Sequence, residues 1–219
     1  MTKTLLLGAN GGVGQHLVTL FQSTGTDFTA SVRDHAQKEA LESKGIATVY
    51  IDIEKESIES LAKLFQDYNQ VIFSVGSGGH TGADKTIIID LDGAVKAIKA
   101  SEAAKVENFI MVSTYDSRRE AFDANGDLKP YTIAKHYADD YLRRSALTAT
   151  IVHPGALTNG SGTGKIRAAQ YFDQPNDRKI PREDVAAVLF EVATNPQHWG
   201  KEFQILTGET PIAEALSTL

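Results

Sequence analysis

Apolar positions recur along this chain with two alternating periods. Short apolar runs at residues 3–7, 28–32, 46–53, 71–75 and 109–112 read as strands. Between them, apolar residues fall every three or four positions. Val13, Leu17, Leu20 and Phe21 mark one helix face, and Ile58, Leu61, Ala62 and Phe65 another. Ile87, Leu91, Ala94, Val95 and Ile98 mark a third, and residues 35–44 form a polar helix stopped by Gly45. Strands alternating with helices through short joints predict a parallel sheet with right-handed crossovers. The strands are apolar on both faces, as a sheet covered by helices on both sides requires.

The second half is looser, and the first proline is Pro130. Ala134, Tyr137, Ala138, Tyr141 and Leu142 form a helix face, and residues 148–152 a sixth strand. Val185, Val188, Leu189 and Val192 mark another helix, and residues 203–206 a last strand. Two polar segments, 114–130 and 158–181, read as substrate-side loops. Both follow strand C-termini, the edge where open α/β sheets bind ligands. The pattern predicts a single α/β domain over residues 1–219: a Rossmann-type doubly wound parallel sheet with a small C-terminal substrate lobe.

Composition removes several classes of function. There is no cysteine, hence no thiol nucleophile or cysteine metal site, and the chain suits a reducing cytoplasm. The net charge is −6, and Lys/Arg clusters do not exceed the dipeptides Arg118-Arg119 and Arg143-Arg144. No basic face for a phosphate backbone is predicted, so nucleic acid is not an expected partner. Residues 4–26 carry no formal charge, but Gly8, Asn10, Gly11, Gly12, Gly14, Gln15 and His16 break the apolar character a membrane span needs. No two of the six histidines lie within four residues of each other, so no local metal-ligand pair exists.

The chemistry begins at Gly8-Ala-Asn-Gly11-Gly-Val-Gly14, between the first strand and the first helix. Gly8 permits a tight turn, Gly11 lets backbone approach a pyrophosphate, and Gly14 lets the helix pack close to the strand. The helix N-terminus offers free N–H groups and a positive dipole end. Asn10, Gly12 and Val13 complete the expected cradle. A nucleotide P-loop is excluded, because Gly14 is followed by Gln15-His16 where that loop needs Lys-Ser/Thr.

The end of the second strand selects the dinucleotide. An NAD site places Asp or Glu there for the ribose 2′-hydroxyl. Here Arg33 holds the place, a cation able to fork onto a 2′-phosphate, so NADP(H) is preferred over NAD(H). Asp34 follows it and would restore NAD if it took the ribose. Asp52 and Ile53 are placed at the adenine, with a helix N-cap as the other use of Asp52. Val75 and Gly76, ending the fourth strand, are placed along the ribose.

Tyr131-Thr-Ile-Ala-Lys135 follows Pro130 at the start of a helix. Four residues apart puts both side chains on one face. The Lys135 ammonium is expected to lower the Tyr131 pKa and make the phenol usable as acid or base. Ser113 and Thr114 end the fifth strand and offer hydroxyls to a carbonyl.

With these residues in place, the chain resembles the short-chain dehydrogenase/reductase superfamily, and more closely its small atypical NAD(P)H-binding, NmrA-like branch. The resemblance rests on the glycine turn, Asp52-Ile53, Ser77–Gly79, Asp90-Leu-Asp-Gly93, Val112-Ser-Thr114, Tyr131-x-x-x-Lys135, His153-Pro-Gly155 and Gly208-Glu-Thr-Pro-Ile212. It implies hydride transfer to a small carbonyl or quinone-like substrate. Tyr131 would exchange the proton, Lys135 would bind the nicotinamide ribose, and Thr114 or Ser113 would hold the carbonyl. His153, Pro154 and Gly155 would line the nicotinamide. Relatives often carry Arg-Pro-Gly where this chain has His153. Two other readings stay open: a non-catalytic NAD(P)-sensing regulator, and a flavin- or tetrapyrrole-type reductase that does not need the tyrosine.

Overall fold

The computed structural model describes residues 2–173 and 175–219. Its first half is the expected alternation: β1 (Thr4–Leu7), α1 (Gly12–Thr24), β2 (Phe28–Val32), α2 (His35–Glu42), β3 (Thr48–Tyr50), α3 (Ile58–Phe65) and β4 (Gln70–Phe73). A single turn, α4 (Ala83–Lys85), leads through a π-helical stretch, Thr86–Gly93, into α5 (Ala94–Ala104) and then β5 (Asn108–Val112). The second half holds α6 (Lys129–Arg143), β6 (Thr148–Pro154), β7 (Ala156–Thr158), β8 (Lys165–Ala169), β9 (Lys179–Pro181), α7 (Arg182–Thr194), β10 (Glu202–Thr207), β11 (Thr210–Pro211) and α8 (Ile212–Ser217).

Nine strands form one sheet in the order β11-β8-β10-β6-β5-β4-β1-β2-β3. The seven from β3 to β10 run parallel, and the order reverses at the β1/β4 boundary, where Leu7 pairs with Ser31 on one side and Phe73 on the other. Leu5, Leu6 and Leu7 are each at most 1% exposed because both sheet faces are covered. Leu6 points into the layer under α1 and α7, with Leu17, Phe21, Val188 and Val192. Leu5 and Leu7 point into the layer under α3, α5 and α6, with Phe65, Ile98 and Leu142. Each buried leucine contributes about 1.5–3 kcal/mol of transfer free energy, so this triplet fixes β1 as an interior strand covered on both faces.

The segment 158–181 differs from the loop expected of it. It contains β8, antiparallel to β10, and β9, which joins β7 in a separate two-stranded pair. In β8 only Ile166 is a large apolar residue; it is fully buried, while Lys165 and Arg167 stay exposed. One apolar residue makes no visible period, and the pairing with β10 supplies what the pattern lacks. The small C-terminal lobe is thus built largely as an antiparallel extension of the main sheet, closed by β11 and α8. The segment 114–130 also has some order, with short 3-10 turns at Arg119–Ala121 and Asp123–Leu128 before α6 begins with Pro130 in its first turn.

Candidate functional site

At the β1/α1 turn, Gly8 adopts φ +87°, and a Cβ there would lie 2.5 Å from the Ser74 carbonyl oxygen. A Cβ on Gly14 would lie 2.2 Å from the Gly8 oxygen. The turn closes by Gly11 N–H donating to Gly8 O at 2.9 Å. Gly11 caps α1 with no side-chain hydrogen bond, and the first turn carries no acidic residue. The opening N–H groups of α1 therefore stand free for an anion.

A cavity of about 200 Å³ opens beside this turn. Its walls include Gly8, Asn10, Gly11, Arg33, Asp52, Ile53, Val75 and Gly76. Residues from the ends of β1, β2 and β4 and from beyond β3 thus meet in one place, at the reversal of strand order. Gly12 and Val13 lie beside it, but the Val13 side chain turns into the core, so only its backbone can serve a ligand. The glycine cradle and the cavity fit the adenosine and pyrophosphate of a nicotinamide dinucleotide.

Arg33 is exposed at the cavity edge. Asp34 is already in use: its carboxylate accepts from Gln37 N at 3.0 Å and caps α2. Asp52 is mostly buried. It accepts from Glu54 N at 3.2 Å and pairs with Lys55 at 3.0 Å. Burial works against its charge, yet Lys55 and the Glu54 amide hold its carboxyl below the ordinary range. The cap of α3 is not Asp52 but Ser57, which accepts from Ser60 N.

The exit of β5 is held residue by residue from beneath. Lys135 Nζ donates to Val112 O at 2.7 Å. Ser113 Oγ donates to Asp139 Oδ2 at 2.5 Å. His153 Nδ1 meets Thr114 O at 2.8 Å, and Gln204 Nε2 donates to Tyr115 O at 2.5 Å. Ser113 is 3% exposed, and its hydroxyl is engaged by Asp139.

Tyr131 is partly buried in the first turn of α6, near the Thr114 hydroxyl. The expected lowering of its pKa by Lys135 does not occur. Burial, and then the negative charges of Asp90 and Asp139, push the phenol well above its ordinary range; the Thr114 hydroxyl works the other way. Lys135 is itself buried, and burial draws its pKa down against the pull of Asp139 and Asp90. Asp90 comes from the π-helical stretch, and its carboxylate also accepts from Ser77 N at 3.0 Å.

His153 does not present a free ring nitrogen to a nicotinamide. Nδ1 faces the Thr114 carbonyl and Nε2 faces Glu202 Oε1, both at 2.8 Å. Glu202 in turn receives a fork from Arg143, at 2.6 and 2.8 Å. Burial opposes the imidazolium, but Glu202, Asp139 and the Thr114 carbonyl raise the His153 pKa above its ordinary value. Burial likewise opposes Glu202, and Arg143 and His153 bring its carboxyl down to about 2. Pro154 ends β6, and Gly155 is glycine because a Cβ would lie 2.3 Å from Arg178 O.

The segments 114–130 and 158–181 meet each other. Asp116 takes a fork from Arg118, at 2.9 and 2.8 Å, and the Arg118 guanidinium lies 3.9 Å over the Tyr171 ring. A second cavity, about 620 Å³, lies between them and reaches His153, Glu202 and Gln204. Asp90 stands in a motif read from sequence but without a role there, and Asp139 and Glu202 were not among the candidates drawn from sequence. Asp139 could have been found, since it follows Lys135 by one helical turn. Glu202 is 49 positions from His153, and only the sheet brings them together. Among the described residues no group of three His, Asp or Glu could hold a metal ion, and no helix is long and apolar enough to cross a membrane.

The chain matches the NAD(P)H-binding family model over residues 8–196. It is 43% identical to the uncharacterized sugar epimerase YhfK of Bacillus subtilis, over 99% of this chain and all of that one. A Bacillus halodurans structure, provisionally named an NAD-dependent epimerase/dehydratase, superposes with a TM-score of 0.91 at 37% identity, covering all of both chains. The oxidoreductase ylbE of Lactococcus lactis superposes with a TM-score of 0.85 at 32% identity, over 99% of this chain and 96% of that one. The chain belongs to the NAD(P)H-binding family, built on a Rossmann-like fold.

Proposed function

We propose that this protein is an NADPH-dependent reductase of a small carbonyl or quinone-like compound, with Tyr131 as proton donor. The observation that carries this reading is the Tyr131 hydroxyl beside the Thr114 hydroxyl, at the same sheet edge as the glycine turn. Burial and the charges of Asp90 and Asp139 oppose the tyrosinate, so Tyr131 stays in the protonated form that a proton donor needs. The bound reduced dinucleotide supplies the hydride. Thr114 orients the substrate oxygen, and Tyr131 donates its proton to that oxygen as the alcohol forms. Lys135 keeps the β5 exit in place and tempers the two carboxylates. Arg33 at the cavity edge, with Asp34 occupied in capping α2, supports NADPH over NADH.

The name of YhfK favours a second reading, sugar epimerisation. That reaction returns its cofactor unchanged and needs a base, a role the Tyr131 surroundings oppose.

The test is NADPH oxidation against aldehydes, ketones, quinones and flavins, with wild type and Tyr131→Phe side by side. We expect turnover that falls about 100-fold or more in the variant, with NADPH affinity within about threefold. Turnover unchanged in Tyr131→Phe would move the protein to the flavin or tetrapyrrole class. Binding without turnover would make it a sensor, and a sugar epimerised without net NADPH oxidation would make it an epimerase.

A further inference from the structure

Arg182 opens α7, on the same sheet face as α1. Both helices follow the C-terminal edge of the site, and their N-termini lie side by side. The Arg182 side chain runs directly across Gly12, the first residue of α1. A Cβ on Gly12 would meet Arg182 Cδ at 2.8 Å and Nε at 2.9 Å. Gly12 therefore leaves room for the arginine.

The guanidinium there has an unusual partner set. Nη1 donates to Asn159 Oδ1 at 2.7 Å, a neutral acceptor. Among the described residues no carboxylate lies within ion-pair distance of it. The two acidic neighbours in sequence are engaged elsewhere. Glu183 accepts from Gly162 N at 2.7 Å, and Asp184 accepts from Thr163 N and Gly164 N at 2.9 and 2.8 Å. A cation without a counterion thus stands at the helix terminus where an anion is expected, and no basic side chain of the glycine turn itself could do this work.

We propose that Arg182 is the cationic partner of the dinucleotide pyrophosphate, and that its bond to Asn159 ties cofactor binding to the order of the 158–164 segment. The proposal rests on the dinucleotide reading above. The backbone N–H groups of α1 supply direction, and Arg182 supplies the charge that a glycine turn lacks. Because Glu183 and Asp184 hold the rest of the segment, one residue movement at Arg182 is transmitted to the substrate side of the site. Arg182 is a binding residue here, and Asn159 a positioning residue.

The test measures NADPH and NADH affinity by titration of wild type, Arg182→Ala, Arg182→Gln and Arg182→Lys. Both dinucleotides share the pyrophosphate, so Arg182→Ala and Arg182→Gln should weaken both by the same factor, about 10- to 100-fold, with Arg182→Lys retaining most of the affinity. Arg182→Gln keeps much of the aliphatic stem over Gly12, so it reports the charge even if the alanine variant folds poorly. Unchanged affinity in Arg182→Gln would overturn the clamp while leaving the dinucleotide reading intact. A loss confined to NADPH would also overturn it, by moving Arg182 to the 2′-phosphate. A wild type that binds neither dinucleotide would sink the dinucleotide reading, and the clamp with it. Asn159→Ala should keep NADPH affinity within about threefold but lose the NADPH-induced slowing of hydrogen exchange over residues 158–164. If NADPH slows no exchange there in the wild type, the coupling to Asn159 is overturned.

Discussion

Lys135 Nζ stands 2.7 Å from the carbonyl oxygen of Val112, and no hydrogen bond joins it to the Tyr131 hydroxyl one helical turn away. The Lys135 amine is buried, and burial draws its pKa down while Asp139 and Asp90 pull the other way. Removing it strands two carboxylates and a carbonyl. We expect Lys135→Met to cost about 3–5 kcal/mol of stability, read as a lower urea midpoint. With the cation gone, the carboxylates act on Tyr131 unopposed, so any turnover should fall further than NADPH affinity. A variant as stable as wild type would show that Asp139 and Asp90 do not depend on this charge.

Arg33 and Asp34 are neighbours with separate tasks. Asp34 caps α2, whereas Arg33 lines the cavity with its side chain exposed, which supports its proposed contact with a 2′-phosphate. Arg33→Ala should weaken NADPH about 10- to 100-fold and NADH less than about threefold. Equal losses would remove the 2′-phosphate assignment. This signature differs from that of Arg182→Ala, which strikes both dinucleotides alike.

The sheet was legible because its strands are short apolar runs set between helices of clear period. The glycine turn was legible because its three functions all demand glycine at fixed spacing. What the sequence hid depends on contacts between distant strands. β8 carries one large apolar residue, Ile166, and becomes a strand only by pairing with β10. The effect of Lys135 on Tyr131 was misread for a related reason. Spacing puts the two on one helix face, but it says nothing of Asp90, which the π-helical stretch brings in from outside α6. His153 lies at the end of β6 as its sequence position suggests, while the partner that decides its charge, Glu202, opens the neighbouring strand β10, 49 positions away.

Two glycines of the turn should respond differently to alanine. At Gly14 the new Cβ would lie 2.2 Å from the Gly8 oxygen and 2.9 Å from Ala9 backbone, and neither can yield without opening the turn. Gly14→Ala should cost about 3 kcal/mol or more, measured by denaturant titration. At Gly12 the contact is the flexible end of Arg182, which can swing aside. Gly12→Ala should cost less than about 1 kcal/mol yet weaken dinucleotide binding. Equal destabilisation at the two positions would contradict the packing described for the turn.

His153 gives the molecule a pH-dependent stability with a defined sign. Both of its ring partners, Thr114 O and Glu202 Oε1, can only accept, so both nitrogens must carry protons for both contacts to form. The groups facing the ring are Glu202 on β10, Asp139 and Arg143 on α6, and Asp116 on the segment after β5. Burial disfavours the imidazolium, and the acceptors outweigh it, leaving the folded pKa above the unfolded value of about 6.5. The stabilisation is therefore complete below about pH 6.5 and fades as pH rises through the folded pKa. Glu202 acts in the opposite sense. Its folded pKa of about 2 lies under the unfolded value of about 4.3, so its share is present above about pH 4.3 and is lost as pH falls toward 2. The two windows overlap between about pH 5 and 6. There the melting temperature of wild type should exceed that of His153→Gln by the widest margin, and the margin should narrow steadily above about pH 7. A gap that stayed constant from pH 5 to about pH 9 would mean that His153 is neutral in the folded protein, with one of its two contacts repulsive rather than a hydrogen bond.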